Sequence, residues 1–198
     1  MDIGCGIGYF VLAAQGDFDA EGLEVEQTAL EKARKIGVSV RYGDALAPRL
    51  PDEPLYDVVT LWDVFSGFTD PSASAVSLLD RVKPGGSLVL TVPDAGAWVA
   101  RWAGTSWPLM IPQGNMHFYT EESVRKLFDL PAVQSVDIWR EAKLVSVSFL
   151  AHKFLRAIGL YGLSKARLPI PRSWKIPLDL GDIMTVQVTK KPDPAGRS

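Results

Sequence analysis

The stretch Asp2-Ile3-Gly4-Cys5-Gly6-Ile7-Gly8 puts glycine at alternate positions directly before the apolar run Tyr9-Phe10-Val11-Leu12. Glycines at this spacing allow a sharp turn and a close approach of backbone to a ligand. They mark the point where a strand ends and a helix begins. Such a junction restricts the chain to folds in which strands and helices alternate, and the following residues keep that rhythm. "GYFVLAAQ" is predicted helical, "DAEGLEV" a strand, "EQTALEKARKIG" a helix stopped by Gly37, and "VSVRYGDA" a strand running into a turn. "YDVVTLWDV" reads as a strand buried on both faces. "DPSASAVSLLDRV" is a helix capped by Asp70 or Ser72, "KPGG" a turn, and "SLVLTVPD" another buried strand.

This alternation predicts an α/β fold, a Rossmann-like doubly wound sheet, mostly parallel and flanked by helices. One domain over residues 1–198 suffices, because the length and a 47% hydrophobic content match one core. Beyond Asp94 the pattern loosens. Residues 95–120 read as a short helix and a long loop on the acceptor side, with Trp98, Trp102 and Trp107 able to line an acceptor pocket but better expected to pack in the core. "TEESVRKLFDL" is a helix capped by Thr120, "VQSVDIWREAKLVSV" a strand, "SFLAHKFLRAIGLYGL" an amphipathic helix, and "DIMTVQVTKK" the last strand. Residues 146–180 read as a basic helical insertion, and 192–198 as a flexible tail.

Charge is divided unevenly. Residues 1–141 hold 11 Lys/Arg and 20 Asp/Glu, and residues 142–198 hold 10 and 3. From Ala142 to Leu178 there are seven Lys/Arg and no acid. The acidic remainder disfavours nucleic acid as a partner. A helix covering the sheet edge explains the basic segment. So does a docking surface for an anionic or lipid-linked acceptor, or a peripheral membrane contact through 146–176. One cysteine and two histidines make a structural metal site improbable, and no metal is expected. No apolar run reaches membrane-span length, no secretory leader is expected, and a reducing cytoplasm is the expected setting.

Four positions fall at the C-terminal ends of successive predicted strands, where open α/β sheets bind ligands. The first is the glycine loop after Asp2. The second is Glu24, placed to accept both hydroxyls of a ribose. The third is Asp44 with Ala45, placed for an adenine amine and a ring nitrogen. The fourth is Trp62 with Asp63, a pocket wall and a partner for an ammonium group. Each has a plainer reading: a tight turn, a surface acid, a common turn, and a core aromatic beside a helix cap. Four such positions together favour a ligand.

With these residues the chain resembles class I S-adenosylmethionine-dependent methyltransferases. "DIGCGIG" is similar to that family's first motif, "GLEVE" to its ribose-binding acid and "YGDA" to its adenine contact. "YDVVTLWDV" and "KPGGSLVLTVPD" resemble its fourth and fifth strands, and "HFYTEESVRKLF" the segment after them in a broad bacterial small-molecule subgroup. The resemblance implies seven strands with the last one antiparallel, and S-adenosyl-L-methionine as cofactor. It implies that Asp2, Gly4, Cys5, Gly6 and Gly8 shape the pocket for the amino-acid end, that Glu24 and Val25 serve the ribose, that Asp44 and Ala45 serve the adenine, and that Trp62 and Asp63 close the site. The implied function is in-line methyl transfer to a small-molecule or lipid- or sugar-linked acceptor. The alternative is a non-catalytic cofactor-binding relative acting as a sensor or partner subunit, and nicotinamide-dependent reduction is disfavoured by G-x-G-x-G in place of G-x-G-x-x-G. His117 is the candidate base, Cys5 a small filler, and His152 structural.

Two departures stand out. The subgroup often carries an acid–His pair where this chain has Ser66-Gly67. The first strand has only Met1 to Ile3 before the glycines, so a longer form with a preceding strand and helix is expected.

Overall fold

A computed structural model describes residues 1–141, 143–148, 151, 171, 174–178 and 181–193. The basic segment and its amphipathic helix lie largely outside the described residues, as do His152 and the end of the tail. The described elements are β1 (Asp2–Ile3), α1 (Tyr9–Ala14), β2 (Gly22–Glu24), α2 (Gln27–Lys35), β3 (Val40–Tyr42), β4 (Tyr56–Leu61), α3 (Pro71–Asp80), β5 (Val82–Pro93), α4 (Trp98–Ala103), α5 (Glu121–Leu127), β6 (Val133–Trp139), β7 (Lys143–Ser146), β8 (Lys175–Leu178) and β9 (Ile183–Lys190). A seven-stranded sheet runs in the order β3-β2-β1-β4-β5-β9-β6. β3, β2, β1, β4 and β5 are parallel, and β9 enters antiparallel between β5 and β6.

The core follows from strand alternation in register. Leu88, Leu90 and Val92 of β5 face Val188, Val186 and Met184 of β9, and β4 adds Val59 and Leu61 beside Leu88 and Leu90. These side chains are buried and form one cluster with Ala75, Leu78 and Leu79 of α3, Val124 of α5, and Phe128. The alternate face of β5 and β9 is mixed, with Val89 among Ser87, Thr91, Thr185, Gln187 and Thr189, and Gln187 Nε2 donates to Ser87 Oγ at 3.2 Å. A second small cluster, Val11, Ala33 and Val38, seats α1 and α2 on the other face. β1 holds its central place with two residues, paired to β2 on one side and β4 on the other. Beside it, between α1 and β4, lies a groove of about 360 Å³ lined by Phe10, Ala14, Phe18 and Val58 among others.

Three readings are corrected. The "KPGG" turn lies inside β5, where Gly85 takes a φ of 78° and the β4 pairing shifts between Tyr56 and Val58. β4 is not buried on both faces, because Val58 is 45% exposed. The strand expected over "VQSVDIWREAKLVSV" is two strands, since β7 leaves the main sheet and pairs with β8. Helix caps follow the sequence. Asp70 Oδ1 accepts from Ala73 N, and Thr120 with Ser123 forms a reciprocal capping box. Glu26 caps α2 by accepting from Thr28 N and Ala29 N, a cap that composition gave little reason to expect.

Candidate active site

The glycine loop, Glu24, Asp44, Asp63 and Asp94 all follow strands of the parallel part of the sheet, so they share one edge. Gly4, Gly6 and Gly8 have φ of 67°, 56° and 80°, a region that disfavours side chains. A Cβ on Gly4 would meet Val64 at 2.7 Å, and one on Gly8 would meet Val38 at 2.7 Å. Packing therefore accounts for those two glycines. A Cβ on Gly6 would meet nothing within 4 Å, so its surroundings are open space of the kind a ligand fills.

Across β1 and β2 the loop meets Glu24. Glu24 Oε2 accepts from Gly6 N at 2.7 Å, and Oε1 accepts from Val25 N and Glu26 N at 2.8 Å each. The carboxylate is 7% exposed and offers about four acceptor positions, of which these bonds take three. Val25 beside it is 57% exposed. Gly4 N and Cys5 N both donate to Leu23 O, and Gly43 N donates to Glu24 O, which stitches the three strand ends together.

Asp2 is buried at the base of the loop and accepts from Thr60 Oγ1 at 2.6 Å. Burial pushes its carboxyl up to about 6, against the Thr60 hydrogen bond. Burial, with Asp2 and Glu24 nearby, pushes the Cys5 thiol up to about 12. A Cβ on Gly22 would collide with Cys5 Sγ, so the thiol packs closely over β2. Asp44 is exposed, and its Oδ1 accepts from Leu46 N at 2.8 Å, while Ala45 is buried.

Asp63 alone among the described non-glycine residues has a positive φ, 59°. Thr91 of β5 holds it there. Asp63 N donates to Thr91 Oγ1 at 2.9 Å, and that hydroxyl donates to Asp63 Oδ1 at 3.0 Å. Thr91 had no motif to reveal it; its signal is only a polar residue near the end of an apolar strand. Trp62 packs edge-on to Phe10, centroids 5.1 Å apart, with its Nε1 buried and unpartnered.

The Ser66-Gly67 departure acquires a physical role. Ser66 O accepts from Met116 N at 2.8 Å and His117 N at 3.1 Å, so this turn seats the loop after β5. A Cβ on Gly67 would stand 3.3 Å from Gly114 O, so the seat is tight. His117 is half-buried, with Nε2 3.4 Å from Thr69 O and its ring tilted against Tyr119. Trp107 is buried as expected, donating from Nε1 to Asp182 Oδ2 at 3.0 Å. Trp98 and Trp102 are not core residues; they are 67% and 83% exposed, because the short α4 turns them outward. No group of three or more possible metal ligands occurs among the described residues.

The sheet order, with an antiparallel β9 between β5 and β6, is that of the class I S-adenosylmethionine-dependent methyltransferase fold. The chain belongs to the methyltransferase domain family, which its residues 1–130 match. It is similar to a ubiquinone biosynthesis O-methyltransferase of Pectobacterium carotovorum, 31% identical over 125 residues, covering 58% of this chain and 52% of the relative. A protein of the same description from Rickettsia felis is 30% identical over 97 residues, covering 46% and 39%. The chain thus spans about half or less of the length of these relatives. In fold it resembles a possible histamine N-methyltransferase of Thermotoga maritima, with a TM-score of 0.65, 18% identity and coverage of 96% and 80%. It also resembles the plantazolicin methyltransferase BpumL solved with a triazolic desmethylPZN analogue and SAH, with a TM-score of 0.62, 16% identity and coverage of 96% and 75%.

Proposed function

We propose that the protein transfers the methyl group of S-adenosylmethionine to a small-molecule or lipid- or sugar-linked acceptor. The observation that carries this reading is the open space over Gly6, whose N–H is held by the Glu24 carboxylate. The residues fit the cofactor. Glu24 keeps acceptor capacity for ribose hydroxyls, with Val25 exposed beside it. Asp44 and Ala45 serve the adenine. Asp2, Cys5 and the glycines shape the end that takes the amino-acid portion, with Asp63 for its ammonium and Trp62 as wall. The cofactor supplies a methyl group on a sulfonium centre, taken by in-line attack of the acceptor. The protein's part is to hold donor and acceptor in line and exclude water.

His117 is the proposed base. It lies on the loop seated by Ser66, and its half-buried imidazole offers a nitrogen that can take a hydroxyl or amine proton from the acceptor. Likeness to ubiquinone biosynthesis O-methyltransferases supports an oxygen acceptor on a small molecule.

Calorimetry with S-adenosylmethionine tests the site. Glu24→Ala is expected to weaken binding about 10–100-fold, because charged hydrogen bonds to two hydroxyls are lost. Glu24→Gln, which keeps one carbonyl oxygen, should lose less. Equal affinity in wild type and both variants would remove Glu24 from the site.

A further inference from the structure

Asp63 takes a φ of 59°, a backbone region that residues with a side chain seldom enter, though aspartate enters it more readily than most. The contact that holds it there is not local. Thr91 lies on β5, 28 residues further on, and uses one hydroxyl twice. Its Oγ1 accepts from Asp63 N at 2.9 Å and donates to Asp63 Oδ1 at 3.0 Å. A hydroxyl has one proton and two lone pairs, so both bonds form together. A single group on the neighbouring strand thereby fixes the main chain and the side chain of Asp63.

The place of Asp63 gives this clasp a use. Residues 62–64 run past the glycine loop, since a Cβ on Gly4 would strike the Val64 side chain at 2.7 Å, and Trp62 packs edge-on to Phe10 of α1. Asp63 stands between them and is exposed. Its Oδ1 is occupied by Thr91, and its Oδ2 accepts no hydrogen bond among the described residues. No lysine or arginine pairs with it among those residues either. The acid that follows the next strand shows the contrast. Asp94 is buried and paired with Arg140 at 2.6 Å, so its charge is already matched. Asp63 keeps one oriented oxygen and an unmatched charge beside the loop, which suits a small ligand cation that donates hydrogen bonds.

We propose that Thr91 is a positioning residue for cofactor recognition: it holds Asp63 so that Oδ2 is left to receive the ammonium group of the amino-acid end. This rests on the cofactor placement proposed above and adds to it the residue that makes the site select for that end. A carboxylate already held in place needs no ordering when the ligand arrives. Without the hydroxyl of Thr91, Asp63 has nothing to keep it in the left-handed region, and its carboxylate is free to turn away into water.

Calorimetry on the full chain tests this with two ligands. S-adenosylhomocysteine carries the amino-acid end, and methylthioadenosine carries the same nucleoside and sulfur without it. Thr91→Val keeps the shape of the side chain and removes the hydroxyl. It is expected to weaken S-adenosylhomocysteine about tenfold and to leave methylthioadenosine within about twofold of wild type. Thr91→Ser keeps the hydroxyl and should stay within about threefold of wild type for both ligands. Asp63→Ala should weaken S-adenosylhomocysteine about tenfold or more, and adding Thr91→Val to it should lose nothing further, because the two residues act as one unit. Circular dichroism and thermal melting confirm that each variant is folded. The role of Thr91 is overturned if folded Thr91→Val binds S-adenosylhomocysteine as wild type does, if it weakens both ligands equally, or if Thr91→Ser is as weak as Thr91→Val. Unchanged affinity in Asp63→Ala overturns the ammonium contact. Wild-type protein that takes neither ligand overturns the cofactor site itself, so the two failures are told apart.

Discussion

Asp2 shows how one residue trades stability for a shaped site. Its folded-state carboxyl titrates at about 6 because burial disfavours the anion, against an ordinary value of 3.8. Between these values the folded state holds a proton that the unfolded state has released. The group's contribution is therefore fully present below pH about 4 and is lost as pH rises through about 6. The full shift is worth roughly 3 kcal/mol. Asp2→Asn keeps an acceptor for Thr60 and removes the buried charge. It should raise stability at pH 7.5 by about 1–3 kcal/mol, measured by urea unfolding, and flatten the wild-type decline between pH 4 and 6. His117 makes a different kind of claim. His117→Ala should lower kcat about 100-fold while cofactor affinity from calorimetry stays within about twofold, since its proposed work is proton removal from the acceptor. A change in affinity without a change in kcat would make it a packing residue. Glu24 and Gly6 were legible from spacing alone, because a strand end and a glycine turn fix where their groups point. Thr91 was not, because its partner Asp63 lies 28 residues away.

At the scale of elements, the joint between β5, α5 and β6 rests on one arginine. Arg140 donates to Asp94 Oδ2 from Nη2 at 2.6 Å and from Nε at 3.1 Å, and reaches Glu121 at 3.4 Å. Asp94 is 2% exposed and also accepts from Gly96 N. The hydrogen bond to Asp94 first, and the other acidic contacts, hold the Arg140 guanidinium above its ordinary value. Removing the arginine strands a buried carboxylate. Arg140→Ala should cost about 2–3 kcal/mol, below the usual range for a buried pair because the Arg140 side chain is 32% exposed. Guanidinium unfolding checks this, and the loss should shrink when Asp94→Asn is combined with it. Helices and caps at this scale were readable, since Thr120, Asp70 and Gly37 act on neighbours in sequence. The break between β6 and β7 was not, because "VQSVDIWREAKLVSV" is uniformly strand-like and only the pairing partners, β9 and β8, divide it.

Over the whole molecule, the apolar strands and their alternation with helices determined an α/β sheet, and the glycine loop with its strand-end acids placed the proposed cofactor site at one edge of it. These follow from the chain's own periodicity, which local backbone geometry reads directly. Among the described residues no helix is long and apolar enough to cross a membrane. Tertiary structure alone decided which tryptophans are core and which are surface. Trp98, Trp102 and Trp107 share one segment and one chemistry, and only Asp182, brought in by the approach to β9, gives the buried Trp107 a partner for its indole N–H. It also decided what Ser66-Gly67 is for, because a seat exists only once the loop ending at His117 folds back on it. Sequence carries the contacts a residue makes with its near neighbours. The contacts that assign its work are made across the sheet, between residues whose separation along the chain says nothing of their distance in space.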